Sequence, residues 1–336
     1  VTKVNTSGST GEPVIVWRTA INRLHWLALT LRYHFWTEPD FAGRICAIRP
    51  NMKDYGEDKD WGAPAALFFR TGPGLRIDIE LDVRRQIEMI RAFRPGSLIV
   101  YPSNLAAILD VLDEEGSDLP GLERLRTIGE TLSPGLRDRA ERRLGARLFD
   151  CYSSEELGYI ALQCPEGDLY HVMSETVIVE IVDDEGKPCR QGESGAVLVT
   201  DLHNHAMPMI RYRIGDYAEV GPPCPCGRGL PTLRAILGRE RNMIVRPDGT
   251  RHWPLTGYKR YREIAPILQY QMRQHEPDRI EVRLVVERPL TPDEEAALTV
   301  WLHEKLRYSF RLDFTYFEGR LPTGPIGKFE EVMRLF

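Results

Sequence analysis

The chain lacks any uninterrupted apolar run long enough to span a bilayer. A secretory signal is missing too, since Val1 to Pro13 is polar and glycine-rich. Cysteine is sparse: six in 336 residues is not the density of a secreted disulfide scaffold. Neither charge dominates, and the formal net charge of −5 argues against a nucleic-acid or anionic-membrane partner. No serine stands in a G-x-S-x-G turn, so a Ser-His-Asp arrangement has no support. Internal repeats and low-complexity tracts are also missing. What remains is a chain 42% hydrophobic and 28% charged, ordinary for a soluble cytoplasmic enzyme, and long enough for two domains.

Two glycine-rich stretches stand out, one at each end. Thr6-Ser7-Gly8-Ser9-Thr10-Gly11-Glu12-Pro13 offers backbone N–H groups made accessible by glycine, with hydroxyls beside them. Such a stretch suits polyphosphate oxygens. It has no Walker lysine, and taken alone a Ser/Gly-rich stretch also reads as a flexible linker. Only five residues precede it, whereas a phosphate loop normally follows a strand, so further sequence is expected before Val1. At the other end, Leu321-Pro322-Thr323-Gly324-Pro325-Ile326-Gly327-Lys328 places one ammonium on a glycine-flanked loop.

Between them the pattern alternates. Ala20 to Trp36 is apolar at helical spacing through Leu24, Leu27, Leu29, Leu31, Tyr33 and Phe35. Strands are expected at Leu98 to Tyr101, Leu125 to Ile128 and Arg147 to Asp150. Helices are expected from Ser103 as N-cap to Asp113 and from Ser133-Pro134 onward. Strand–helix alternation implies a parallel sheet with crossover helices. Beyond about residue 170 the texture becomes antiparallel: Val177 to Val182 and Ala196 to Thr200 flank the turn Asp183-Asp184-Glu185-Gly186. After a break near Gly238, alternating Ile280, Val282, Leu284 and Val286 predict a half-buried strand. Thr291-Pro292-Asp293-Glu294 predicts a capping box opening a helix to about Arg307. The expected fold class is α/β: a large N-terminal domain over 1–238 with a mixed sheet, crossover helices and an antiparallel subdomain, then a small α+β C-terminal domain over 239–336.

Two acidic motifs point to nucleotide chemistry. Asp150-Cys151-Tyr152-Ser153-Ser154-Glu155-Glu156 sits where a buried strand should end, which is where open α/β sheets bind ligands. A carboxylate there suits Mg²⁺, which takes few protein ligands. Arg211-Tyr212-Arg213-Ile214-Gly215-Asp216 places an acid after a glycine turn, as for the vicinal hydroxyls of a ribose. Gly238-Arg239 follows at the domain break.

This ordered set resembles the adenylate-forming superfamily of acyl-CoA synthetases, luciferases and peptide-synthetase adenylation domains, and within it the phenylacetate–CoA ligase branch. The resemblance rests on T-S-G-S-T-G-x-P, Y-S-S-E-E, R-Y-R-x-G-D, G-R and P-x-x-x-x-G-K in the family's order, and covers nearly the whole chain. It implies that Thr6, Ser7, Gly8, Ser9, Thr10 and Gly11 hold the β/γ-phosphates of ATP. Gly129 and Glu130 resemble the segment lying along adenine. Tyr152, with Ser153 beside it, would stack near the purine or line the acyl pocket. Glu156 matches the Mg²⁺ carboxylate, with Glu155 as runner-up. Asp216 would bind ribose, Arg239 would assist at ribose or phosphate, and Lys328 would be the catalytic lysine on a mobile lid. Three departures stand out: the family's sheet-forming region before the phosphate loop is missing from this sequence, Arg241 occupies a hinge position that is usually acidic, and Phe329-Glu330-Glu331 follows the lysine where the family often has an arginine.

The implied activity is activation of a carboxylic acid, aryl or arylacetic by resemblance, to an acyl-adenylate. Transfer to the thiol of coenzyme A would follow. Transfer to a carrier-protein thiol is the alternative in the same class; a non-catalytic nucleotide-binding module is the alternative in another. Expected partners are the small-molecule acid, ATP and CoA or the carrier thiol, with no nucleic acid, no membrane and a homodimer left open.

The cysteines carry a separate expectation. Cys224-Pro225-Cys226 is a tight turn with two thiols, and Cys164 lies seven residues before His171. Three thiolates and one imidazole make a closed, structural Zn²⁺ site. The C-x-C spacing is shorter than the commoner C-x-x-C, and the alternative is free thiols in turns. Cys46, Cys151 and Cys189 show no partner pattern, and Cys151 reads as an apolar filler at a strand end. His203 and His205 read as surface or packing residues.

Overall fold

The structure is a computed structural model that describes residues 2–5, 15–38, 40–50, 52, 55–239, 242–252, 261, 263–319, 321–322 and 331–336. The chain divides into two compact units: Val1–Leu132 with Leu136–Ile236, and Ser133–Gly135 with Leu237–Phe336. Among the described residues no helix is long and apolar enough to cross a membrane.

The first unit opens with a hairpin of β1 (Thr2–Asn5) and β2 (Ile15–Arg18), then α1 (Ala20–Thr37). The mainly parallel half follows as β3 (Ile45–Arg49), β4 (Gly56–Asp58, an antiparallel edge strand), α2 (Ala65–Phe68), β5 (Gly74–Asp78), α3 (Val83–Phe93), β6 (Ser97–Val100), α4 (Pro102–Glu115), β7 (Arg124–Thr127), α5 (Pro134–Leu144) and β8 (Arg147–Ser154). The antiparallel half is β9 (Gly158–Gln163), β10 (Tyr170–Val172), β11 (Val177–Val182), β12 (Ser194–Asp201), β13 (Tyr212–Val220) and β14 (Thr232–Arg239). All but the hairpin join one 12-stranded sheet in the order β11-β12-β13-β14-β10-β9-β8-β7-β6-β3-β5-β4.

β8 is the junction. Its first half, Arg147 to Asp150, pairs parallel with β7. Its second half, Cys151 to Ser154, pairs antiparallel with β9, with a register shift between Tyr152 and Ser153. The strand expected to stop at Asp150 therefore runs on to Ser154, because antiparallel pairing takes over where the parallel ladder ends.

Helical periodicity builds the parallel half. Ile87 and Ile90 on α3, and Leu105, Ile108, Leu109 and Leu112 on α4, are essentially fully buried in one cluster with Ile48, Ile77, Leu98 and Leu125. Burying each such side chain stabilises the fold by about 1.5–3 kcal/mol. α1 behaves differently from its apolar pattern. Leu29 and Tyr33 are buried, but Leu24 and Phe35 are 65% and 55% exposed, because the helix turns only one stripe to the sheet. Near its end a polar cluster is buried. Glu38 lies 3.5 Å from Arg126 of β7 and accepts from the Ser97 hydroxyl at 2.6 Å. Burial and the Arg126 charge push His34 down to about 3, so neutral His34 accepts at Nδ1 from Arg126 at 3.2 Å.

Ser103 is not an N-cap. Tyr101 holds that position without a side-chain bond, and Pro102 opens the helix. Ser103 instead donates its N–H and hydroxyl to Glu130, at 2.8 and 3.0 Å.

The second unit contains a two-stranded ribbon of β15 (Ile244–Val245) and β16 (Arg251–His252). Beside these elements in sequence come β17 (Ile267–Glu276), β18 (Arg279–Val286), α6 (Pro292–Leu306), β19 (Arg311–Phe317) and β20 (Val332–Arg334). Its four-stranded sheet has the order β19-β18-β17-β20. α6 starts with the expected reciprocal capping box between Thr291 and Glu294. Ile280, Val282 and Leu284 pack with Leu298 and Leu302 of α6. β18 is more buried than its alternation suggests. Arg283, on the other face, is covered: its guanidinium lies over Phe317 at 4.2 Å and donates to Gln271 at 2.7 Å.

Candidate functional site

Thr6, Ser7, Gly8, Ser9, Thr10, Gly11, Arg241 and Lys328 lie outside the described residues. Of the rest of the expected nucleotide site, Gly129 and Glu130 follow β7, Tyr152 and Ser153 lie on β8, and Asp216 lies on β13.

β7 runs into Gly129 and Glu130. Gly129 has φ of 73°, and a Cβ there would lie 2.6 Å from Tyr101 Cε1, so only glycine fits under that ring. Glu130 is fixed by its two bonds from Ser103. β8 delivers Tyr152, Ser153 and the turn carrying Glu155 and Glu156. Gly215, at φ 84° in β13, lies in the stretch where the register with β12 shifts, just before Asp216. Tyr152 and Asp216, 64 residues apart, are both buried, and the tyrosine hydroxyl donates to Asp216 Oδ2 at 2.6 Å.

The two adjacent glutamates differ. Glu155 is exposed and pairs with Arg18 at 3.5 Å. Glu156 is half-buried and lines two cavities. One, of about 270 Å³, is walled by Arg18, Trp26 and Tyr159, with His25 stacked on His203 at 3.8 Å. The other, of about 260 Å³, is bounded by Met207 to Ile210 and Tyr212. His203 is thus a packing partner, as the sequence reading had it. Arg239, the last residue of β14, is half-buried.

Asp150 carries a different consequence. Its carboxylate is buried and accepts from Thr127 Oγ1 at 2.6 Å and from the Tyr170 hydroxyl at 2.7 Å. Burial pushes its pKa from 3.8 up to about 6, against those two bonds. A raised folded pKa means stability that is complete below pH 3.8 and lost as pH rises through about 6. Asp150→Asn is therefore expected to flatten the decline of unfolding free energy across that window. The difference from wild type should be on the order of 2–3 kcal/mol at its upper limit. Urea titrations at a series of pH values check this; parallel curves for wild type and variant would contradict it.

Cys164, His171, Cys224 and Cys226 form one cluster, their ligand atoms all within 4.8 Å of one another. Cys164 and His171 are buried, and the two loop cysteines are half-buried. Cys224 Sγ lies 3.7 Å from Cys164 Sγ, and Cys226 Sγ lies 3.3 Å from His171 Nε2. A tetrahedral Zn²⁺ with ordinary bond lengths has S···S edges of about 3.8 Å and S···N edges of about 3.6 Å. The donor set and its spacing therefore fit that ion. Trp36 of α1 closes one side, edge-on to His171 at 5.7 Å and beneath the Arg228 guanidinium at 5.1 Å. Cys151 is a buried apolar filler, as its position suggests, with its thiol pushed up to about 12 by burial.

Two residues escaped the sequence reading: Arg18, which pairs with Glu155, and Tyr170, which bonds Asp150, carried no motif.

Known proteins bear on this geometry. The family model for AMP-binding enzymes matches residues 4–205. A phenylacetate-coenzyme A ligase of Escherichia coli strain K12 is 32% identical over 252 residues, which is 71% of this chain and 55% of that protein. One from Pseudomonas putida is 31% identical over 48% of this chain and 38% of its own length. The chain thus spans about half or less of these relatives. Among solved structures, a 2-hydroxyisobutyryl-CoA ligase in the postadenylation state superimposes with a TM-score of 0.75 at 18% identity, covering 99% of this chain and 73% of that one. An anthranilate CoA ligase bound to anthranoyl-AMP gives 0.72 at 17% identity, covering 97% and 64%. At such identities these structures speak to the fold. The matched family model, the ordered motifs and the shared architecture lead to one conclusion: the chain belongs to the AMP-binding enzyme family, in the phenylacetate–CoA ligase-like branch of the adenylate-forming superfamily.

Proposed function

We propose that this protein activates a carboxylic acid with ATP, forming an acyl-adenylate and pyrophosphate, and then transfers the acyl group to the thiol of coenzyme A. The observation that carries this reading is the buried Tyr152–Asp216 hydrogen bond of 2.6 Å. It joins two nucleotide motifs distant in sequence at the carboxyl end of β8. Names of the relatives support the same class, since they are phenylacetate-coenzyme A ligases. An aryl or arylacetic acid is the substrate they suggest.

The reaction sets one anion against another: a carboxylate oxygen attacks the α-phosphorus while pyrophosphate leaves. Thr6 to Gly11 would donate to the β/γ-phosphates. Glu156 is the better Mg²⁺ carboxylate, because it faces two cavities while Glu155 is engaged by Arg18. The metal, when bound, supplies charge against the phosphates. Asp216 would accept from the ribose hydroxyls, with Tyr152 holding its second oxygen. Gly129 and Glu130 would lie along adenine, and Ser153 and Arg239 would assist at the nucleotide. Lys328 would stabilise the charge that builds between carboxylate and α-phosphate. Residues 1–238 would be the nucleotide and acid-binding core, and 239–336 a lid that turns to admit the thiol. A structural Zn²⁺ on Cys164, His171, Cys224 and Cys226 belongs to the same proposal.

Asp216→Ala is expected to weaken ATP and AMP binding together, because both share the ribose. Losing a buried acceptor for the ribose hydroxyls should cost about 1–3 kcal/mol. Isothermal titration checks it, with a 2′,3′-dideoxy nucleotide as control. Were wild type to bind that analogue as well as ATP, Asp216 would not be the ribose acid.

A further inference from the structure

The three sulfurs of the cysteine cluster are not equivalent. Cys226 Sγ faces the imidazole, 3.3 Å from His171 Nε2. Cys224 Sγ faces another sulfur, 3.7 Å from Cys164 Sγ. Cys164 is buried, and its sulfur also accepts from the Glu166 N–H at 3.4 Å. Cys224 is half-buried, on the loop between β13 and β14. A thiol that solvent reaches therefore stands against one that solvent does not. The cysteines outside the cluster are placed differently. Cys46 and Cys151 are buried, and Cys189 donates to the Ser194 carbonyl at 3.7 Å.

An accessible sulfur beside a second, resolving one is the arrangement that reversible thiol oxidation uses. We propose that Cys224 and Cys164 form a site of reversible oxidation by hydrogen peroxide or a comparable hydroperoxide. Cys224 reacts first and Cys164 resolves it. The zinc reading above enters only as what holds the sulfurs in the reduced state.

The Cys224 thiolate attacks one peroxide oxygen; the O–O bond breaks and hydroxide leaves, giving a sulfenic acid. The Cys164 thiolate then attacks the Cys224 sulfur; an S–S bond forms and a second hydroxide leaves. The two thiolates lose two electrons, and the peroxide gains them. From their 3.7 Å contact the sulfurs close by about 1.7 Å to reach an ordinary disulfide. Cys226 is the poorer partner, because its sulfur is engaged with His171.

Oxidation exchanges one cross-link for another. A bound Zn²⁺ loses two of its four ligands and is freed. The new bond ties the end of β9 to the β13–β14 loop, across 60 residues of chain. Restricting the unfolded chain in this way keeps part of the stability that the ion supplied.

The test treats full-length protein, zinc-loaded and chelated, with stepwise hydrogen peroxide. Zinc release is read with a colorimetric indicator, thiols are counted, and disulfides are mapped by peptide mass spectrometry. Zinc-loaded wild type should lose about one zinc and two thiols per chain. The map should show Cys164 joined to Cys224, and dithiothreitol with added zinc should restore the starting state. Oxidised protein should melt above chelated, reduced protein. Cys189→Ser should behave as wild type, whereas Cys164→Ser should leave a Cys224 sulfenic acid that dimedone traps. A Cys224–Cys226 link, or over-oxidation with no disulfide, would overturn the pair. Protein that holds zinc but never forms the Cys164–Cys224 bond would keep the metal and overturn the oxidation site. Protein that never holds zinc yet forms that bond would keep the oxidation site and overturn the zinc reading.

Discussion

Lys328→Ala is expected to lower the rate of adenylate formation by about 10²–10³, by analogy with removal of a preorganised donor at a developing charge. ATP affinity should change little. An ammonium that acts on the charge building between carboxylate and α-phosphate stabilises the transition state more than the bound substrates. The loss should therefore fall on kcat rather than on the KM for ATP. Pyrophosphate release measures it directly. Transfer from a preformed acyl-adenylate to CoA is a separate step, and it should survive in the variant if the lysine serves only the first half-reaction. Undiminished pyrophosphate release would remove Lys328 from the chemistry.

The second large effect concerns metal. Cys226→Ser is expected to lose one Zn²⁺ per chain and to lower the melting temperature, without selectively removing the chemistry. Four protein ligands would leave no open position for water or substrate, so a bound ion would be structural. Its contribution would be a staple: Cys164 follows β9, His171 lies on β10, and Cys224 and Cys226 come from the loop between β13 and β14. Thiols must lose their protons to bind, so zinc retention should fall at acid pH. Elemental analysis and thermal melts before and after chelation check both points. A wild-type protein free of zinc and indifferent to a chelator would leave these four groups as a packed cluster of thiols and one imidazole.

Local rules made much of the fold legible. Thr291 and Glu294 announced α6 because a capping box is written within four residues. β6 and β7 showed as short apolar runs ended by Pro or Gly, whereas β3 and β5 were not expected from the sequence. Tertiary effects were harder to read. Ser103 looks like a cap, yet Pro102 already sets the helical φ, which frees the serine to hold Glu130. Arg283 reads as a solvent-facing residue, but Phe317 and Gln271 from neighbouring strands cover it. Leu24 and Phe35 read as core, yet α1 presents only one stripe to the sheet.

The candidate site followed the same division. Tyr152, Glu156 and Asp216 were visible because each sits in a motif whose residues are adjacent. The cysteine cluster was visible because thiols are rare enough for spacing to be informative. Tyr170 carries no local signal; its bond to Asp150 comes from strand order and burial, which depend on the whole sheet.

Acid-dependent isotope exchange between pyrophosphate and ATP tests the central claim most directly, because it reports the first half-reaction without needing the thiol. Full-length protein with Mg²⁺ and ATP should show exchange only when a suitable carboxylic acid is added. Exchange should fall in both Lys328→Ala and Asp216→Ala, the first through rate and the second through nucleotide affinity. Protein that binds ATP but exchanges no pyrophosphate with any acid, with or without CoA, would contradict the account and make this chain a nucleotide-binding module.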